Sequence, residues 1–138
     1  MAVLDELRAI EERDGILQPK AVVEFARNPE TELHSRFEWD NEKAGDSHRL
    51  WQARQLISVQ VTYLKSKSDN VESPAFVSLV CDRNAQGGYR SIANVLSDDD
   101  LREKMLRDAR RDLNIFKRRY QNLVELANVF QEIERVLV

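Results

Sequence analysis

The chain has 138 residues, 42% of them hydrophobic and 33% charged, with 21 Lys and Arg against 24 Asp and Glu, one cysteine, four glycines and three prolines. A chain of this size buries roughly two-thirds of its unfolded surface, so residues 1–138 are expected to form one domain without help from disulfides or metal. The lone Cys81 rules out an internal disulfide, and apolar runs of three or four residues fall far short of the ~20 that a spanning helix needs.

Residues 1–58 read as helical. Val3, Leu4, Leu7 and Ile10 fall at helical spacing over Ala2–Asp14, and Gly15 stands where a left-handed residue closes a helix. Asp5, Glu6, Glu11 and Glu12 interrupt the apolar residues, so the segment lacks the order of a signal peptide and a cytosolic protein is expected. Pro19 suits the first turn of a second helix, which Asn28-Pro29 ends. Glu30–Phe37 is expected to form a third, with Leu33 and Phe37 on one face. Asp40 is the expected N-cap of a fourth helix running to Ser58, whose apolar face includes Ala44, Leu50, Trp51 and Ile57.

Residues 59–90 read as a small antiparallel sheet. Val59, Val61 and Tyr63 alternate with polar residues, Lys65–Asn70 is expected to be a loop, and Pro74–Cys81 is expected to be a second strand. Asp82–Gly88 reads as a turn-rich loop and Tyr89-Arg90 as a short third strand. Ser91 is placed to cap one helical turn through Leu96. Ser97 followed by Asp98, Asp99 and Asp100 is a capping signal with acids on the positive end of the helix dipole. No Gly or Pro follows, so a single helix of about 40 residues is expected over Leu101–Val138. Ala109, Phe116, Leu123, Phe130 and Leu137 recur every seven residues, interleaved with Leu106, Leu113, Tyr120 and Ala127, as in a coiled-coil seam that would join copies into a homo-oligomer. The expected fold class is α+β, mainly α: a helical, helix–turn–helix-like N-terminal region, a small antiparallel β-sheet, and a long C-terminal helix.

Charge is uneven. Residues 1–60 carry eight basic and twelve acidic side chains, whereas the eight basic residues between Arg102 and Arg119 face only Glu103, Asp108 and Asp112. Arg107, Arg110, Arg111, Lys117 and Arg118 are therefore candidate phosphate contacts, although such residues also serve as the solvated flanks of a packed helix. A trihelical unit of Pro19–Arg27, Glu30–Phe37 and Asn41–Ser58 would offer Lys43, Ser47, His48, Arg49 and Arg54 to DNA from its last helix. The net charge of −4 over residues 1–60 speaks instead for a helical bundle with no nucleic-acid role.

Other chemistries find little footing. Gly87-Gly88 is followed by no Gly-Lys-Ser/Thr, so no phosphate-binding loop or cofactor is expected. Cys81 lies in a Val-rich run that suits a buried thiol. His34 and His48 are fourteen residues apart and lack a helical ligand partner, so structural roles and no metal are expected. Phe37, Trp39 and Trp51 could stack on bases, but aromatics at helix junctions are normally core.

Leu33-His34-Ser35-Arg36-Phe37-Glu38-Trp39-Asp40, followed by Ala44, Arg49, Ala53-Arg54 and Leu56-Ile57, resembles a pattern in small bacteriophage and prophage proteins. The later order of Pro74-Ala75-Phe76-Val77, Gly88-Tyr89, Ser91 and Ser97 is similar to the same family, which has no established activity. Where members carry a charged residue after Pro-Ala-Phe-Val, this chain has Ser78-Leu79-Val80-Cys81. The resemblance implies helices, a small sheet and a long helix, and a DNA-associated or assembly role in the cytoplasm of a bacterial host. The expectation is a non-enzymatic, phage-encoded binding protein that contacts DNA or a DNA-processing complex through its basic helix. The alternative is an adaptor whose long helix oligomerises or docks on a host or phage protein.

Overall fold

The computed structural model describes residues 2–40, 45–65 and 70–138. The fold is α+β and mainly helical, and the chain divides into two compact units, Met1–Leu96 and Ser97–Val138.

The first unit is built on α1 (Ala2–Asp14), which buries Val3, Leu7 and Ile10 at the spacing of one helix face. Gly15, at φ +82°, closes α1 by donating its N–H to the Glu11 carbonyl at 2.7 Å. Pro19 opens α2 (Pro19–Ala26), which supplies Val22, Val23 and Ala26 to the core. The expected third helix is one 3₁₀ turn, Leu33–Arg36. The Glu6 carboxylate caps it from α1, accepting the N–H groups of Glu32 at 2.9 Å and Leu33 at 2.8 Å. The fourth, α3 (Asp46–Ser58), follows an extended Gly45, and the expected start just after Asp40 falls on residues 41–44, outside the described residues. The expected Ala44 contribution lies outside the described residues. Arg49, Ala53 and Ile57 form the buried stripe of α3, and Trp51, about 160° round the helix from Arg49 and Ala53, is 54% exposed rather than core.

The sheet region is two separate ribbons. β1 (Val61–Lys65) pairs antiparallel with β2 (Asn70–Pro74), in register from Val61 opposite Pro74 to Lys65 opposite Asn70. The expected loop thus narrows at both ends, and residues 66–69 lie outside the described residues. β2 escaped the hydropathy pattern because Asn70, Glu72 and Ser73 are polar, and its strand character comes from backbone pairing alone. β3 (Phe76–Val77) pairs antiparallel with β4 (Arg90–Ser91). The expected strand through Cys81 stops at Val77, and Val80–Arg83 is the short helix α4, with Cys81 exposed rather than buried. Ala75 links the ribbons: its N–H donates to the Gln60 carbonyl and its carbonyl accepts from the Ile92 N–H, both at 2.9 Å. Tyr89 joins by a reciprocal bridge to Leu17, at 2.8 Å in each direction. Ser91 caps α5 (Ile92–Ser97), its hydroxyl accepting from the Asn94 N–H at 3.3 Å.

The second unit is a helical hairpin. α6 (Asp99–Tyr120) is capped by Asp98, whose carboxylate accepts the Leu101 N–H at 3.0 Å; Ser97, the expected cap, is the last residue of α5. The expected 40-residue helix ends at Tyr120. A turn and a 3₁₀ segment, Val124–Leu126, lead into α7 (Ala127–Leu137), which packs against α6. Folding back lets α7 bury Phe130 and Ile133, an opportunity that one straight helix would forgo. The absence of Gly and Pro permits a helix without compelling it. The seam is therefore split: Phe116 meets Phe130 at 6.1 Å between ring centroids within one chain, and Lys117 pairs with Glu134. Leu113 and Leu137 are half-buried, while Ala109, Phe116, Tyr120, Leu123 and Ala127 stay exposed.

Glu11 is buried and accepts the Ser91 N–H, tying α1 to β4. Glu11→Ala should therefore leave a buried amide unpaired and lower unfolding stability by about 1–3 kcal/mol, read as a lower urea midpoint at unchanged m-value. Gly15→Ala meets open space and should cost only the left-handed penalty of about 1–2 kcal/mol. Gly88→Ala should cost more, about 2–3 kcal/mol, because φ is +111° and a Cβ would lie 3.1 Å from the Ile16 side chain. Equal midpoints for the two glycine variants would remove that packing argument.

Candidate nucleic-acid interface

One residue of the expected N-terminal interface, Arg49, is used for structure. Arg49 is only 4% exposed. Its Nη2 donates to Asp46 Oδ1 at 2.9 Å and its Nη1 to the Glu38 carbonyl at 3.2 Å, and its guanidinium stands 5.5 Å from the centre of the Trp39 ring. Arg27 takes a similar place over Trp39 at 5.6 Å and reaches the same Asp46 oxygen at 3.3 Å. His34 stacks on Trp39 at 5.0 Å, its Nδ1 lies 2.8 Å from the Ala26 carbonyl, and the indole N–H donates to the His34 carbonyl at 2.8 Å. Arg49 is thus withdrawn from any DNA face, because two carbonyl or carboxylate oxygens and an aromatic ring satisfy it inside the fold. The same contacts give the Leu33–Asp40 segment a structural reading: Leu33 and Phe37 enter the core and Trp39 organises two arginines and a histidine. Trp39 is accordingly a packing residue rather than a stacking platform, whereas Trp51 lies outside with His48 stacked on it at 5.7 Å.

Of the other candidates on this helix, Lys43 lies outside the described residues, Ser47 and His48 are exposed, and Arg54 is exposed on α3.

On α6, Arg107, Arg110, Arg111 and Arg118 are exposed and form no ion pair among the described residues. At 100° per residue, Arg107, Arg111 and Arg118 lie within about 40° of one another around the helix and span about 16 Å along it. They face away from the line of Met105, Ala109, Leu113 and Phe116. Lys117 does not join them, since the return of α7 brings the Glu134 carboxylate onto its ammonium. Arg119, at the end of the same basic stretch, is also exposed.

No three His, Cys, Asp or Glu side chains gather to hold a metal among the described residues. No helix among them is long and apolar enough to cross a membrane. Comparison with known proteins shows no matching family model, no matching curated protein and no matching solved structure.

The Arg49 hydrogen bond, more than its charge or that of Arg27, holds the Asp46 carboxyl below the ordinary 3.8, against an opposing effect of desolvation. A carboxyl lowered on folding contributes stability that is complete above its ordinary pKa and is lost as pH falls through the lower folded value. Arg49→Gln should return the Asp46 titration upward in an NMR pH series and narrow that acid-side window. It should also lower stability at neutral pH, because the amide cannot replace the guanidinium's bonds to Asp46 and to the Glu38 carbonyl. An unmoved Asp46 titration would show that the pair does not persist in solution.

Proposed function

We propose that this chain is a non-enzymatic binding protein that holds nucleic-acid phosphates on the exposed arginines of α6. The observation that supports this reading is the placement of Arg107, Arg111 and Arg118 on one face, exposed and in no ion pair among the described residues. Three fixed positive charges over about 16 Å match a strand whose phosphates advance about 3.4 Å each along the axis. Arg110 borders this face and extends it toward the α7 side. The resemblance to phage and prophage proteins agrees with such a role on DNA or on a DNA-processing complex in a bacterial host.

A second reading, an adaptor that docks on a protein or on another copy of itself, is favoured by a different observation. Phe116 is 39% exposed, and Tyr120, Leu123, Val124 and Val129 are likewise exposed on the same hairpin. Apolar side chains gathered in this way mark interaction surfaces more often than scattered ones do.

The readings separate on salt and on charge. Under the first, duplex or single-stranded DNA should bind at low salt, with log K falling by about 0.9 per phosphate contact for each decade of salt on a duplex. The triple variant Arg107→Gln, Arg111→Gln, Arg118→Gln should lower affinity and reduce that slope by about 2.7. Fluorescence anisotropy showing no binding by the unaltered protein at micromolar concentration and low salt would sink the nucleic-acid reading. Under the second, Phe116→Ala should weaken self-association or partner binding while the triple variant leaves it intact, read by light scattering at increasing concentration.

A further inference from the structure

Two clefts of similar size open on the N-terminal unit, and charge separates them. One, of about 290 Å³, has Lys20, Glu24, Arg27 and Asp46 in its wall. There Arg27 already pairs with Glu24 at 3.2 Å and Asp46 at 3.3 Å, so that arginine is matched from within. The other, of about 300 Å³, carries Arg54 from α3 and Arg83 from α4 on its wall and no acidic side chain. Neither arginine forms an ion pair among the described residues, and both are exposed. Asp82, next to Arg83 in sequence, is turned to Arg90, whose guanidinium it holds through two bonds of 2.8 and 2.9 Å.

The floor of this second cleft is preformed. Gln18 Nε2 donates to the Gly87 carbonyl at 3.0 Å and the Ser78 hydroxyl donates to the Gly88 carbonyl at 3.1 Å. Both carbonyl oxygens are thereby engaged, which reduces the negative potential they would otherwise offer to an anion. The Leu17–Tyr89 bridge pins the chain immediately beyond. Gly88 admits the approach of Ile16 and Gln18 because it has no Cβ. Gln86 adds a neutral amide to the wall.

We propose that this cleft binds a phosphate monoester, with Arg54 and Arg83 as its two cationic ligands. A monoester carries about −1.5 to −2 charges at neutral pH, which two guanidiniums match, whereas a phosphodiester carries one. Guanidinium also offers paired N–H donors with the geometry of phosphate oxygens. The volume, at the small end for ligand sites, suits the phosphate with a sugar-sized group attached. The monoester can belong to a free metabolite or to the 5′ end of an oligonucleotide, and the chemistry recognised is the same. The cleft is independent of the α6 arginines, so it stands or falls separately from the function proposed above.

The test is isothermal titration of the full chain with a nucleoside 5′-monophosphate, the corresponding nucleoside, and a short oligonucleotide bearing either a 5′-phosphate or a 5′-hydroxyl. Tighter binding by the phosphorylated member of each pair than by its hydroxyl counterpart is expected, the oligonucleotide pair being compared in the α6 triple variant so that backbone phosphates held by the α6 arginines do not contribute. If only the mononucleotide binds, the source is a free metabolite; if the phosphorylated oligonucleotide binds as well, strand ends are recognised. Arg54→Gln and Arg83→Gln should each lower affinity about tenfold or more. The α6 triple variant should leave it unchanged. In the unaltered protein, the phosphorylated ligand should also protect Arg54 and Arg83 from phenylglyoxal, read by peptide mass, which decides the matter without any variant. Equal binding of phosphorylated and hydroxyl ligands, no binding at millimolar concentration, unprotected arginines, or loss of binding in the α6 variant would overturn the assignment.

Discussion

A carboxylate on the first helix holds an amide eighty residues away, and much of the N-terminal unit depends on that contact. Glu11 is buried beside Ile10 on α1, a position that a charged side chain can occupy only with a partner. Ser91 N–H supplies one, and Ser91 in turn caps α5 with its hydroxyl. The neighbouring Arg90 is fixed by Asp82, so β4 is held from both sides: through its backbone by α1 and through its side chain by α4. One turn earlier on α1, Glu6 performs the equivalent task for the 3₁₀ turn by receiving two of its leading N–H groups. α1 is thus a strut with two functions, apolar burial through Val3, Leu7 and Ile10 and backbone satisfaction through Glu6 and Glu11.

Those two acids illustrate where sequence reasoning reached its limit. In the sequence they read only as a departure from the order of a signal peptide, because nothing local to them announces a partner at residue 33 or 91. Features that depend on neighbours were legible. Gly15 ending α1, Pro19 opening α2, Ser91 capping α5 and the acids in the first turn of α6 all rest on interactions within a turn or so. Even there, the cap of α6 shifted by one residue from Ser97 to Asp98, since either side chain can serve and α5 claims Ser97. β2 was missed because strand pairing can recruit a polar segment that has no hydrophobic alternation to show. Trp51 was misplaced because the buried stripe of α3 runs through Arg49 and Ala53, a charged and a small residue that no hydrophobicity count selects.

The C-terminal unit shows the same limit at a larger scale. Heptad spacing was real in the sequence, yet spacing alone does not say which helix fills the seam. A helix of about 40 residues needs another chain to cover its apolar line, whereas a hairpin covers part of it at once and at no cost in concentration. The turn between Tyr120 and Val124 keeps its backbone paired through bonds such as Leu123 N–H to the Tyr120 carbonyl at 2.9 Å, so little is lost by breaking the helix. The consequence reaches the candidate site, because the same fold-back takes Lys117 out of the basic strip and leaves the arginines.

A count of charges along the N-terminal unit says little about the surface it presents. The acidic excess of residues 1–60 weighed against nucleic-acid binding there, but Glu6, Glu11 and Asp46 are engaged with backbone amides or arginines and do not act as free surface charge. Arg27 and Arg49 are likewise consumed. Other acids, among them Asp5, Glu12 and Glu30, remain exposed, so the correction does not simply turn an acidic surface basic. What a partner meets is the set of charges left over after the fold has taken its share, and their grouping matters more than their sum. Arg54 and Arg83 illustrate this, since they are separated by twenty-nine positions in the sequence, carry no motif, and share a cleft only because α3 and α4 pack into the same unit.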